Sequence, residues 1–87
     1  MTAEIARDGR TALITWTVDG DPSQIEGWVL LRTIDGSEEI IQVIRDSAVR
    51  SFDAPVIDLE ATHRVEARAA NGRVIASSDP LTFNSDQ

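Results

Sequence analysis

Eighty-seven residues make one domain, long enough for a single modest core, and with no cysteine nothing staples it by disulfides. Fifteen acids against eight arginines and no lysine give a formal charge of −7, which repels phosphate backbones and anionic lipid surfaces and argues against nucleic acid and membranes as partners. With one histidine and no cysteine, no Cys-His pair or multi-His metal set can be assembled, and no catalytic triad is recognisable.

The opening "MTAEIARDGR" lacks the basic and apolar regions of a signal peptide, and the longest apolar run, Trp28 to Leu31, is far too short to span a bilayer. From there the chain alternates apolar and polar residues between clusters of Gly, Asp, Asn and Pro. No window shows helical spacing with caps, so the fold class is all-β. The expected strands are Thr2 to Ala6, Thr11 to Val18, Ile25 to Thr33, Glu38 to Arg45, Val49 to Asp53, His63 to Ala70, and Arg73 to Phe83 with a break near Ser78 to Pro80. Seven short strands at this spacing predict an antiparallel two-sheet sandwich filling residues 1–87 as one domain.

Alternation also assigns the core. Ala12, Ile14 and Trp16 share one face of the second segment, Trp28 and Leu30 one face of the third, and Val65, Ala67 and Ala69 one face of the sixth. Each buried tryptophan contributes roughly 4 to 6 kcal/mol by area. Arg64, Glu66 and Arg68 are then expected to face water.

The third and fourth segments carry more apolar residues than one face needs. If Trp28, Leu30, Ile41 and Val43 point into the core, then Val29, Leu31, Ile40 and Ile44 point out and form a patch of the size that marks docking surfaces. The alternatives are a cover over the patch or a register shifted by one. On the docking reading, the partner is another protein subunit or a second copy, and Leu31→Glu abolishes association without unfolding the chain.

Among the loops, Asn71-Gly72-Arg73 stands between two alternating runs. Asn-Gly is the strongest hairpin signal, because a type I′ turn needs positive φ at both central positions, so the triplet reads first as a bend and only second as a recognition loop. Arg7-Asp8-Gly9 likewise reads as a turn before the second strand. Asp19, Asp21, Asp35, Glu38, Glu39 and Asp79 read as solvated turn acids, since no EF-hand ligand pattern is present. No cofactor motif is present either, and no insertion builds a catalytic cleft.

The stretches "TALITWT", "IEGWVLLR" and "SFDAPVIDLEATHRVEARAANG" together resemble the fibronectin type III domain over nearly the whole chain. Trp16 matches that family's second-strand tryptophan, Ile25, Gly27 and Trp28 its third-strand opening, and Phe52, Ile57, Val65, Ala67, Ala69 and Asn71 its later apolar pattern. The sequence departs from the family at the corner before the sixth strand, where Leu59, Ala61 and His63 replace the usual Pro, Thr and Tyr. His63 is expected to serve there as a structural histidine. The resemblance implies a non-catalytic module for adhesion, spacing or assembly, and in some members the loop at Asn71 to Arg73 displays an adhesive tripeptide.

The expected role is an accessory subunit of a larger assembly, with a phage virion decoration or tail protein as the leading example and a virion or extracellular location following from it. Two alternatives stand beside it. One is a module of a bacterial secreted enzyme or adhesin, and the other is a small carbohydrate-binding sandwich, which would need Trp28 exposed as a stacking platform.

Overall fold

A computed structural model of the chain describes residues 1–20, 22–58 and 60–82, so the expectations placed on Asp21, Leu59 and Phe83 lie outside the described residues. The eight described strands are β1 (Thr2–Asp8), β2 (Thr11–Thr17), β3 (Gly27–Ile34), β4 (Ser37–Ile44), β5 (Ser51–Pro55), β6 (Thr62–Arg68), β7 (Val74–Ser77) and β8 (Leu81–Thr82). They form two antiparallel sheets, one ordered β1-β2-β5 and the other β4-β3-β6-β7, with β8 also paired to β6. No helix long and apolar enough to cross a membrane occurs among the described residues.

The sequence predicts seven strands and the described residues form eight, because the last segment divides into β7 and β8. At the break, Ser78 takes over the ladder. Its backbone N–H donates to the Val65 carbonyl at 2.8 Å, and its buried hydroxyl oxygen accepts from the Val65 N–H at 3.0 Å. Pro80 follows, and having no N–H it cannot continue the pairing.

The core lies between the sheets. Ile14, Trp16 and Ala54 enter it from one side, and Trp28, Leu30, Val65 and Ala67 from the other. The two indole rings meet at a centroid distance of 5.5 Å and an angle of 54°, within the range of favourable aromatic pairs. Arg50 lays its guanidinium 4.9 Å from the Trp28 ring centre, closing the core at that end. Ala69, expected inside, is only partly buried because β6 ends at Arg68.

The turns redistribute the expected chemistry. The type I′ pattern falls at Asp35-Gly36, where φ is +53° and +81° and two residues join β3 directly to β4. At Asn71-Gly72 only Gly72 is positive, at +85°. There the Gly72 N–H donates to the Ala69 carbonyl and the Ala69 N–H to the Arg73 carbonyl, both at 2.9 Å, which makes a longer loop closed by a left-handed glycine. The bend is real, but its class differs from the one expected, because hairpin type follows loop length as well as the Asn-Gly pair.

Candidate functional site: the outer face of the larger sheet

β3 is central in the larger sheet, so both of its edges are paired, with β4 and with β6. Trp28 and Leu30 turn inward, while Val29 and Leu31 turn outward and are still only 5 % and 7 % exposed. Their cross-strand neighbours account for this. Val29 lies between Val43 and Glu66, and Leu31 between Ile40 and Arg64. The expected open patch is thus half closed at its centre, and Leu31→Glu would bury a charge rather than probe a surface.

The fourth strand departs from its expected phase. A bulge between Leu30 and Leu31 lets β4 run one residue ahead of β3, so that Ile44 pairs with Trp28 and Val43 with Val29. Ile44 therefore packs against the core together with Ile41, and Val43 takes the outer position assigned to Ile44. Ile40 remains outside as expected. Ile40 and Val43, 55 % and 48 % exposed, are the open apolar residues of β4 on this face, and Val74, opposite Arg68 on β7, is another exposed one at its far side.

Gly27 fixes the near end of the same face. A Cβ at this position would lie 2.2 Å from the Ile44 carbonyl oxygen, so β3 and β4 approach there only because the side chain is absent. Beside it an open groove of ≈ 460 Å³ runs between Val29 and Val43 on one side and Arg68 and Gly72 on the other. The groove brings Val29, Ile40 and Ile44 together with Gly72, whereas Leu31, Asn71 and Arg73 do not line it.

On β6, Arg64, Glu66 and Arg68 do not simply face water. Glu66 is 7 % exposed and accepts from Arg64 Nη1 at 2.6 Å and Arg68 Nε at 2.9 Å. Arg64 continues to Glu38 at 3.0 Å, and Arg68 donates to the Gly72 carbonyl at 3.2 Å. Burial pushes the Glu66 carboxyl up, but the hydrogen bonds and charges of the two arginines outweigh it and hold the group below its ordinary 4.5. The result is a charge row beside an apolar row on one sheet face. The Arg-x-Glu-x-Arg spacing of two was the sequence signal for it, since period two puts all three side chains on one side.

Glu38 and Glu39, read both as the start of the fourth strand and as solvated turn acids, lie in β4, where Glu38 pairs with Arg64 and Glu39 with Arg32 at 3.4 Å. His63 is 2 % exposed and sits opposite Arg32 on β3 and Leu81 on β8. Burial, aided by the Arg32 charge, holds its imidazole below the usual 6.5. Asn71 Oδ1 accepts the Arg73 N–H at 2.9 Å, so the side chain of the triplet's first residue serves the loop itself. Among the described residues no three His or acidic side chains converge as a metal set would.

No family model and no curated protein matches the chain. Among solved structures, pectate lyase Pel3 from Pectobacterium carotovorum is similar at 16 % identity, TM-score 0.73, over 92 % of this chain and 25 % of that one. Pectate lyase PelI from Erwinia chrysanthemi, in complex with tetragalacturonic acid, is similar at 17 % identity and TM-score 0.74 over 91 % of this chain and 26 % of that one. The chain spans about a quarter of the length of the lyases it matches, and at such identity the likeness is one of fold.

Proposed function

We propose that the chain is a fibronectin type III-like, non-catalytic interaction module that docks on protein through the outer side of β3 and β4. The observation carrying this reading is the pair Ile40 and Val43, half exposed on the outer side of β4 next to Val29 and Leu31 of β3, which are sealed by ion-paired neighbours. Surfaces with an apolar centre and a charged rim are the usual anatomy of protein contacts. The resemblance read from the sequence supports the family assignment through Trp16, Gly27 and Trp28, each of which has a packing role.

The fold match to a quarter of two longer lyase chains favours a module carried beside other domains of a secreted enzyme over a virion subunit. A carbohydrate-binding sandwich is less well supported, because Trp16 and Trp28 are 2 % and 1 % exposed and offer no stacking platform.

Photo-crosslinkers at Ile40 and Val43, with Leu13 and Ile57 as exposed apolar controls elsewhere, test the docking face in the native source. Protein crosslinks from the first pair alone are expected. Equal yields from both pairs, or none, would sink the reading. The chain incubated alone with polygalacturonate is expected to leave it uncleaved, and cleavage would overturn the non-catalytic assignment.

A further inference from the structure

We propose that the free edge of β4 pairs antiparallel with β4 of a second copy about a two-fold axis. This rests on the docking reading above and names the occupant. β4 is the terminal strand of the larger sheet, and on that sheet's other flank β8 packs against β1. Among the described residues nothing pairs with the outer edge of β4.

Natural edges are blunted by shortness, proline, lysine or bulges, because an open strand is a template for pairing. β4 is eight residues long, has no Pro or Lys, carries its charges Glu38 and Glu39 near one end, and along the rest has only its bulge. The bulge places Ile40 and Val43, three apart, on the same face, so a regular strand laid against this edge falls out of phase.

Against a second copy the mismatch cancels. With Ile40 opposite the partner copy's Val43, the bulged pair Ile41-Gln42 meets Gln42-Ile41 one for one. The same register sets Glu38 opposite Arg45 at both ends. Glu38 stands on the outer face beside Arg64, and Arg45 borders the groove beside Val43 with no ion pair among the described residues. Shifting the register by one separates the charges and sets an outer residue against an inner one. The edge is therefore self-complementary in shape, apolarity and charge, as an isologous contact requires.

Sedimentation equilibrium of the full chain at about 0.15 M salt, which screens the net charge of each copy beyond roughly 8 Å, is the test. A reversible dimer is expected. Glu38→Arg and Arg45→Glu should each weaken it about tenfold or more, since either one sets like charges together at both ends. Mixing the two variants should restore a one-to-one dimer, because the reversed charges then face each other and the native ones do too. Val43→Lys, at an exposed position, should also abolish the dimer and keeps the test valid if a charge reversal disturbs the fold. A strict monomer overturns the proposal, as does a dimer insensitive to both reversals or a mixture that stays monomeric. Crosslinks from Ile40 and Val43 to other proteins, with the chain itself monomeric, would overturn this inference and leave the docking reading standing.

Discussion

Ile44 pairs directly with Trp28 across β3 and β4, although strict alternation along β4 with Ile41 and Val43 turned inward sets it on the opposite face. One extra residue at the bulge makes the difference, and it decides which β4 side chains are structural. Ile44→Lys should destabilise the domain by about 1–3 kcal/mol, because it puts an ammonium beside the tryptophan core. Val43→Lys should stay within about 0.5 kcal/mol of the parent. Urea denaturation at dilute protein concentration checks both, and equal losses would mean that the bulge is not where the structure has it.

Gly27 supports the same junction through what it lacks. With the Ile44 carbonyl 2.2 Å from the site of a Cβ, Gly27→Ala must push β4 away from β3 or twist their ends. Overpacking of this kind costs about 1–3 kcal/mol and sometimes more. The midpoint of urea unfolding should fall with little change in slope, and an unchanged midpoint would show that the strands part without cost.

The parts legible in the sequence are those that rest on bulk and alternation. Trp16, Trp28, Leu30 and Val65 are large or branched, recur at every second position, and are buried as that pattern requires. Bulges carry no such mark, so the β4 assignments of Val43 and Ile44 were reversed. The type I′ turn expected at Asn71-Gly72 stands instead at Asp35-Gly36, since the dipeptides are similar and only the loop length separates them. Buried charge is equally silent in composition. Glu66 reads like any exposed strand acid until Arg64 and Arg68 are seen to flank it on one face.

That flanking sets an acid limit on stability. Glu66 is held below 4.5 in the folded chain, so the unfolded state binds more protons there as pH falls through 4.5. Its contribution is full above that value and is lost as pH falls through the folded value. Glu66→Ala should cost about 1–2 kcal/mol at neutral pH, less than for a fully buried pair because both arginines remain partly solvated, and should flatten the acid limb. An acid limb as steep as the parent's would remove Glu66 from the account.

His63 acts in a higher window. Its folded value lies below 6.5, so as pH falls through 6.5 the unfolded chain gains a proton that the folded chain refuses. Stability should begin to decline there and level off below the folded value. The groups facing it across the sheet include Arg32, itself paired with Glu39, which opposes imidazolium formation. Unfolding free energies measured in steps between neutral and mildly acid pH, alongside a His63→Phe variant, check this. The variant should lose the decline beginning at 6.5 and keep the lower one due to Glu66.

The Asn71-Gly72 loop allows a chemical test of its turn class. Deamidation needs the Gly72 backbone nitrogen to lose its proton and attack the Asn71 side-chain carbonyl carbon, closing a succinimide and releasing ammonia. In the fold that N–H is donated to the Ala69 carbonyl at 2.9 Å, and the Asn71 side-chain oxygen holds the Arg73 N–H at 2.9 Å. Both bonds must open before the ring can form, so the reaction proceeds from the locally opened hairpin. Peptide mapping after incubation at mildly basic pH should show slow deamidation in the native chain and several-fold faster reaction in urea. Gly72→Ala, strained at φ +85°, should loosen the loop, while Asn71→Ala should cost under about 1 kcal/mol because Asn71 itself is not at positive φ. Equal deamidation rates in native and unfolded chains would show that the turn bonds do not hold, and would return Asn71 to the pool of residues open to modification.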